Sequence, residues 1–164
     1  MIKTLIIYSS LHGCTARAAE LLQKRLGHNI TCHNMKDKPN PSIDTYDRVI
    51  IGGSIHAGKI QRAVKYLCKK NQKNLLKKQL GLFICCMDQE KALEQYRNAY
   101  PELLRNHASA AGLFGGEFNF ERMNFVQKAI IKKISGLEAS VDKLDEAAIG
   151  KFINQLESRR QSSD

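Results

Sequence analysis

The stretch Ile2-Lys3-Thr4-Leu5-Ile6-Ile7-Tyr8-Ser9-Ser10-Leu11-His12-Gly13-Cys14-Thr15 decides how this chain is read. An apolar run, Ile2 to Tyr8, passes into a loop of small and hydroxyl residues and then into a helical pattern from Ala16 to Leu26. A buried strand, a short polar loop and a helix start make a phosphate cradle. The first N–H groups of a helix have no partner within it, and the helix dipole adds partial positive charge there. Ser9, Ser10 and Thr15 supply hydroxyl donors, and Gly13 lets the backbone approach closely. Leu11, His12 and Cys14 complete the loop. It contains no Lys, so it is neither the G-x-x-x-x-G-K-[ST] loop nor G-x-G-x-x-G. A hydroxyl-rich cradle without a cation suits the phosphate of flavin mononucleotide (FMN), held by hydrogen bonds alone.

Working outward, short apolar runs alternate with helical patterns, the mark of a parallel sheet with helices on both faces. Strands are predicted at Lys3–Tyr8, Asn29–His33, Arg48–Gly52, Gly81–Cys86 and Ala110–Glu117. Val49-Ile50-Ile51 and Leu82-Phe83-Ile84-Cys85 are continuously apolar, as strands buried on both faces are. Helices are predicted at Thr15–Leu26, Gln61–Asn71, Lys91–Ser109 with Pro101 interrupting it, and Leu144–Leu156. Lys38-Pro39-Asn40-Pro41-Ser42 leaves room for only a short helix before Tyr46. The fold class is α/β: a three-layer α/β/α sandwich on a five-stranded parallel sheet of order 2-1-3-4-5. In such sheets the ligand sits beyond the carboxyl ends of the strands. Ser9–Thr15, Gly52–Lys59 and Met87–Ala92 follow strands one, three and four, so three loops converge on one edge.

The 164 residues are expected to form one domain, 1–157, with a surplus segment at about 119–142 and a disordered tail at 158–164. No run approaches the ~20 apolar residues that span a bilayer, and no signal peptide is read at the N-terminus, which places the chain in the cytoplasm or on the inner membrane face. The five Cys show no C-x-x-C spacing, so reduced thiols are expected rather than a disulfide framework or a metal site. A net charge of +10 favours anionic partners: nucleic acid, anionic lipid, an acidic protein or an anionic small molecule.

The loop Gly52-Gly53-Ser54-Ile55-His56-Ala57-Gly58-Lys59 is rich in small residues. Flavin rings need such an approach, with backbone amides reaching the ring edge and a side chain, here Ile55 or His56, covering the face. Alone this loop reads as a flexible strand-to-helix turn. Beside the first loop, FMN is the better reading, with Met87 and Asp88 as the third contributor.

The pattern Ser10-x-His12-Gly13-x-Thr15 resembles the flavodoxin phosphate loop, and Tyr46 to Gly58 resembles its ring-binding counterpart. The form Ile51-Gly52-x-Ser54-Ile55-x-x-Gly58 is most similar to the flavodoxin-like, menaquinone-dependent protoporphyrinogen IX dehydrogenases. That branch also carries an extra basic segment before the last helix, here Phe125-Val126-Gln127-Lys128-Ala129-Ile130-Ile131-Lys132-Lys133-Ile134-Ser135-Gly136. The resemblance implies a flavodoxin-like fold, FMN as cofactor, and electrons passed from a tetrapyrrole-like substrate to a quinone. Two positions depart from the family: Cys14 stands where Asn is common, and His12 where Thr or Asp is. Ordinary flavodoxins place aromatic rings on both flavin faces, whereas Met87-Asp88-Gln89-Glu90 offers none, which suits an open face and a substrate.

A helical stretch is predicted at Met123–Ile134. It reads either as a surface helix packed by Met123, Val126 and Ile130, or as a cap that meets an anionic membrane or a substrate's carboxylates. In the second reading Lys59, Lys128, Lys132 and Lys133 are the contacts. The alternative function is a flavodoxin-type electron carrier to a partner protein, although carriers of that kind are commonly acidic. A nucleic-acid binder ranks last, for want of aromatics and of a motif. The sequence sets no oligomeric state.

Overall fold

The computed structural model describes residues 1–10, 13–118, 125, 126, 129 and 141–159. The order of elements is β1 (Thr4–Ser9), α1 (Cys14–Leu26), β2 (Ile30–Asn34), β3 (Arg48–His56), β4 (Lys59–Ile60), α2 (Arg62–Lys70), α3 (Gln72–Leu75), β5 (Gln79–Cys85), α4 (Ala92–Ala99), α5 (Glu102–His107), β6 (Ala110–Leu113), β7 (Gly115–Phe118), β8 (Val141–Leu144) and α6 (Glu146–Ser158). The main sheet runs β2-β1-β3-β5-β6, all parallel, which is the 2-1-3-4-5 order read from the sequence.

The central strands are apolar on both faces because both faces are covered. Leu5, Ile7, Val49, Ile51, Leu80, Leu82 and Ile84 face the side closed by α2 to α5, where Val64, Leu67, Leu75, Tyr100 and Leu104 pack on them. Ile6, Ile50, Phe83 and Cys85 alternate to the other side and meet Ala18 and Leu22 of α1, and Ile149, Phe152 and Leu156 of α6. Period-2 alternation thus feeds two separate cores.

On the α1 side the sheet makes room for three large rings. Phe83 stands between Gly52 of β3 and Gly112 of β6 in the strand register. A Cβ added at Gly52 would lie 2.0 Å from Phe83 Cζ, and one at Gly81 would lie 2.7 Å from Phe152 Cζ. The rings of Phe83 and Phe114 stack at 4.7 Å, and Phe152 meets Phe114 edge-on at 5.3 Å.

The structure corrects several boundaries. The last predicted strand, Ala110–Glu117, is two strands divided at Phe114. β6 completes the main sheet, while β7 pairs antiparallel with β8 in a separate ribbon. Phe114 is the corner: its N–H donates to the Ile84 carbonyl at 3.0 Å, its carbonyl accepts from Asp145 N–H at 2.8 Å, and its ring is wholly buried. Gly115, at φ +73°, then turns the chain out of the sheet. Leu144 ends β8, and the last helix begins two residues later, capped by Asp145 accepting from Ala148 N–H at 2.9 Å. That helix includes Ser158, which the sequence placed in the tail; residues 160–164 lie outside the described residues.

The short helix expected before Tyr46 is absent. Residues 35–47 run in turns and bends, with Met35 and Ile43 buried in the core in its place. Pro39 and Pro41 explain this, because each disfavours helical backbone before it. The helix expected at Met123–Ile134 falls largely outside the described residues. Val126, expected to pack inward, is 63 % exposed, and Phe125 is 85 % exposed.

Gly52→Ala is expected to lower unfolding stability by about 1–3 kcal/mol, because the fully buried Phe83 ring has nowhere to withdraw. Urea unfolding checks this, and an unchanged midpoint would refute the ring-in-glycine account.

Candidate functional site

The register levels the carboxyl ends of the strands: Ser9 lies opposite Gly53, Gly53 opposite Ile84, and Ser54 opposite Cys85. The loops that follow β1, β3 and β5 therefore leave the sheet side by side, one strand spacing of about 4.8 Å apart.

The first loop ends in Gly13, at φ +98°, from which α1 begins directly. Among the described residues no side chain caps this helix, and its first turn contains no acidic residue. The N-terminal N–H groups thus meet no competing carboxylate, which favours an anion there. Ser10 is buried, and its Oγ accepts from Gly13 N–H at 3.1 Å, folding the loop on itself. Thr15 is wholly buried, and among the described residues its hydroxyl has no partner beyond the neighbouring Cys85 thiol. Cys14 turns its side chain into the core, so only its backbone remains for the loop. Leu11 and His12 lie outside the described residues.

The second loop differs from its sequence reading. Rather than a loosely held glycine-rich turn, β3 continues to His56 and folds back through Ala57-Gly58 onto β4 as a tight hairpin. Ala57 and Gly58 sit at φ +48° and +75°, the pair of left-handed residues that a two-residue hairpin turn needs. Ala fits that conformation poorly, which is why the turn was not evident. Ile55 packs on the core on the α2 side of the sheet. Strand alternation puts Ser54 and His56 on the opposite side, with α1, and Ser54 Oγ lies 3.1 Å from His56 Nε2.

Gln61, which the sequence offered only as a helix start, ties the two loops together. Its Oε1 accepts from Ser54 N–H at 3.1 Å, and its Nε2 donates to Ser54 Oγ at 2.6 Å and to the Ser9 carbonyl at 3.2 Å. A Cβ at Gly53 would lie 2.7 Å from Gln61 Oε1, so this glycine is the space the Gln occupies. No sequence motif signals such a tie; it depends on the hairpin returning the chain to the edge it left.

The third loop is held by its own polar groups. Asp88 Oδ1 accepts from Lys91 N–H at 3.2 Å, and Gln89 Nε2 donates to the Cys86 carbonyl at 3.0 Å. Met87 is half-buried against β7, where a Cβ on Gly116 would be 2.8 Å from its Cγ. Cys85, beneath the edge, has its thiol pKa raised well above 9.0 by its hydrogen bond with Cys14 and by burial, with Thr15 offsetting part of the rise. Burial likewise raises the Cys86 thiol. Both therefore stay protonated thiols at neutral pH rather than nucleophiles.

Lys59 is exposed on the hairpin, and with Lys65, Ile60 and Asn98 it lines a groove of about 310 Å³. Lys128, Lys132 and Lys133 lie outside the described residues.

A family model for the flavodoxin domain matches residues 5–144. The chain belongs to the flavodoxin family. It is 27 % identical over 153 residues to the protoporphyrinogen IX dehydrogenase [quinone] of Escherichia coli K12, covering 86 % of this chain and 84 % of that one. Among solved structures, the WrbA-like flavodoxin of Agrobacterium tumefaciens superposes with a TM-score of 0.57 at 18 % identity, over 98 % of this chain and 99 % of that one. The Fusobacterium nucleatum flavodoxin bound to flavin mononucleotide gives 0.53 at 13 % identity, over 99 % of both chains.

Within the flavodoxin family this cradle fits FMN: a helix start without an acidic residue, a left-handed glycine and hydroxyl side chains beside it all suit a phosphate. FMN is the cofactor that the family and the cradle support. Two outcomes are expected from variants. Thr15→Val should weaken FMN binding by about 1–3 kcal/mol and leave the melting temperature of the FMN-free protein little changed, because the side chain keeps its shape and only the hydroxyl is lost; calorimetric titration and thermal unfolding read the two effects separately. Gln61→Leu should lower stability by about 1–3 kcal/mol, since it strands the Ser54 N–H and the Ser9 carbonyl. It should also speed hydrogen exchange at Ser54, and native-like protection of that amide would dismiss the tie.

Proposed function

We propose that this flavodoxin-family protein is an FMN-dependent oxidoreductase that takes electrons from an anionic, tetrapyrrole-like substrate and passes them to a quinone. The observation that carries the reading is the cradle. The Thr15 hydroxyl stands behind a helix start whose first turn carries no acidic residue, at an edge that Gln61 pins to Ser54. Ser9, Ser10, Gly13, Thr15 and the backbone of Cys14 hold the phosphate, together with Leu11 and His12. Gly53, Ser54, His56, Ala57 and Gly58 meet the ring, and Met87 and Asp88 border it. When bound, FMN supplies two-electron redox chemistry between an organic donor and an acceptor.

The enzyme reading is favoured over the carrier by charge and by the third loop. The net charge of +10 has the wrong sign for a carrier that docks on a basic partner face. Met87-Asp88-Gln89-Glu90 brings no ring, which leaves one side of the site for a substrate. The likeness to the E. coli protoporphyrinogen IX dehydrogenase, across most of both chains, points to the same substrate class. Lys59 and Lys65 beside the hairpin would attract its carboxylates. The basic segment, with exposed Phe125 and Val126, is assigned to an anionic membrane surface where a quinone resides.

Steady-state oxidation of protoporphyrinogen IX by the FMN-loaded protein, with a menaquinone analogue as acceptor, tests this. Activity is expected, and Lys59→Glu with Lys65→Glu should raise KM about tenfold with kcat little changed. Failure to turn over with any quinone, combined with two well-separated one-electron potentials, would assign the carrier function instead.

A further inference from the structure

At the rim of the site, one chain of polar contacts has its directions dictated by the backbone. The Ser54 N–H can only donate, and the Ser9 carbonyl can only accept. The first meets Gln61 Oε1 at 3.1 Å and the second meets Gln61 Nε2 at 3.2 Å. Reversing the Gln61 amide would set N–H against N–H and oxygen against oxygen, so its orientation is fixed. The other Nε2 hydrogen points to Ser54 Oγ, 2.6 Å away. Towards Gln61 the Ser54 hydroxyl is therefore an acceptor, and its own hydrogen must go elsewhere.

Among the described residues, the other hydrogen-bond neighbour of Ser54 Oγ is His56 Nε2, at 3.1 Å. Ser54 is buried, where an unplaced hydroxyl hydrogen is unfavourable. The hydrogen goes to His56 Nε2, which must be bare to accept it. In a neutral ring the imidazole hydrogen then sits on Nδ1. A second feature favours the neutral ring. His56 stands opposite Lys59 in the hairpin register, so both side chains leave the same face. A positive imidazolium there would adjoin a positive ammonium. His56 itself is half-buried and stands at the rim, two residues beyond Ser54 on β3.

We propose that Gln61 and Ser54 are positioning residues that fix His56 as a neutral imidazole with its hydrogen on Nδ1. His56 is then a hydrogen-bond donor to the flavin ring and not a base. The inference rests on the reading that the β3–β4 hairpin meets that ring. Nε2, the nitrogen that could take a proton, is occupied by the Ser54 hydroxyl, and Nδ1 already carries one. A donor at the ring edge favours the reduced, more electron-rich form of the cofactor, so it raises the potential. Gln61 thus does more than tie two loops: through Ser54 it sets the chemical role of a third residue.

Long-range proton–nitrogen correlation spectra of the His56 ring at neutral pH read the tautomer directly, in the FMN-free and the FMN-loaded protein. Redox titration of the loaded protein reads its midpoint potential. In the unmodified protein one tautomer, with its hydrogen on Nδ1, is expected in both states. Ser54→Ala should release the ring into a mixture of tautomers and make the potential more negative. Ser54→Thr, which keeps the hydroxyl, should restore both. His56→Phe keeps a ring but loses the donor, and should make the potential at least as negative as Ser54→Ala does. A hydrogen on Nε2 in the unmodified protein, or an Nδ1 tautomer that survives Ser54→Ala, would overturn the positioning role. A potential unmoved in His56→Phe would overturn the donor role. Neither measurement involves substrate or quinone, so failure to oxidise protoporphyrinogen IX would count against the proposed function alone.

Discussion

One packing constraint sets the site: the Phe83 ring occupies the space left by Gly52 on one neighbouring strand, and the Phe114 ring stacked on it fills the space left by Gly112 on the other. A slip of one residue would turn every side chain of β3 to the opposite face, and a slip that brought Ile51 opposite Phe83 would drive a Cβ into that ring. The register is therefore fixed from inside the core, well below the functional edge. Its consequence at the edge is that Ser9, Gly53 and Ile84 end level, so that three loops from three strands share one rim. The level of this rim is decided by ring packing before any polar group acts.

The rim is then tightened by polar contacts that the core cannot supply. Gln61 joins the end of β1 to the end of β3 through one side-chain amide, using both its donor and its acceptor. Such a contact is possible only because β4 brings the chain back within two residues of its own turn. The hairpin is thus a device for returning Gln61 to the rim. The left-handed conformation of Ala57, unfavourable for a residue with a Cβ, is held in place by the pairing of Ile55 with Ile60.

Much of the fold was legible because strands buried on both faces announce themselves as unbroken apolar runs, and Val49-Ile50-Ile51 and Leu82-Phe83-Ile84-Cys85 are such runs. The junction between β1 and α1, where the phosphate cradle is proposed, was legible because strand, loop and helix are contiguous in the chain. The hairpin at His56–Lys59 was not, since Ala-Gly is a weak turn signal beside Asn-Gly. The split at Phe114 was hidden because Ala110 to Glu117 reads as one strand. What divides it is a left-handed glycine and the pairing of β7 with a segment more than twenty residues away. Gln61 was missed because it acts through partners distant in sequence, Ser9 and Ser54.

A phosphate loop without a lysine raises the question of what offsets the ligand's negative charge. Hydrogen bonds from helix N–H groups and hydroxyls fix its position, but they add no full charge. The chain's net charge of +10 provides the missing attraction as a diffuse field. At physiological ionic strength that field reaches about 8 Å, so lysines beyond the rim act mainly on the approach of an anion and little on its bound state. The two contributions are separable by salt. Attraction by the field fades as salt is added, whereas the hydrogen bonds of a buried cradle are screened far less. A loop built from Ser9, Ser10, Gly13 and Thr15 therefore assigns recognition to short-range geometry and recruitment to the whole surface.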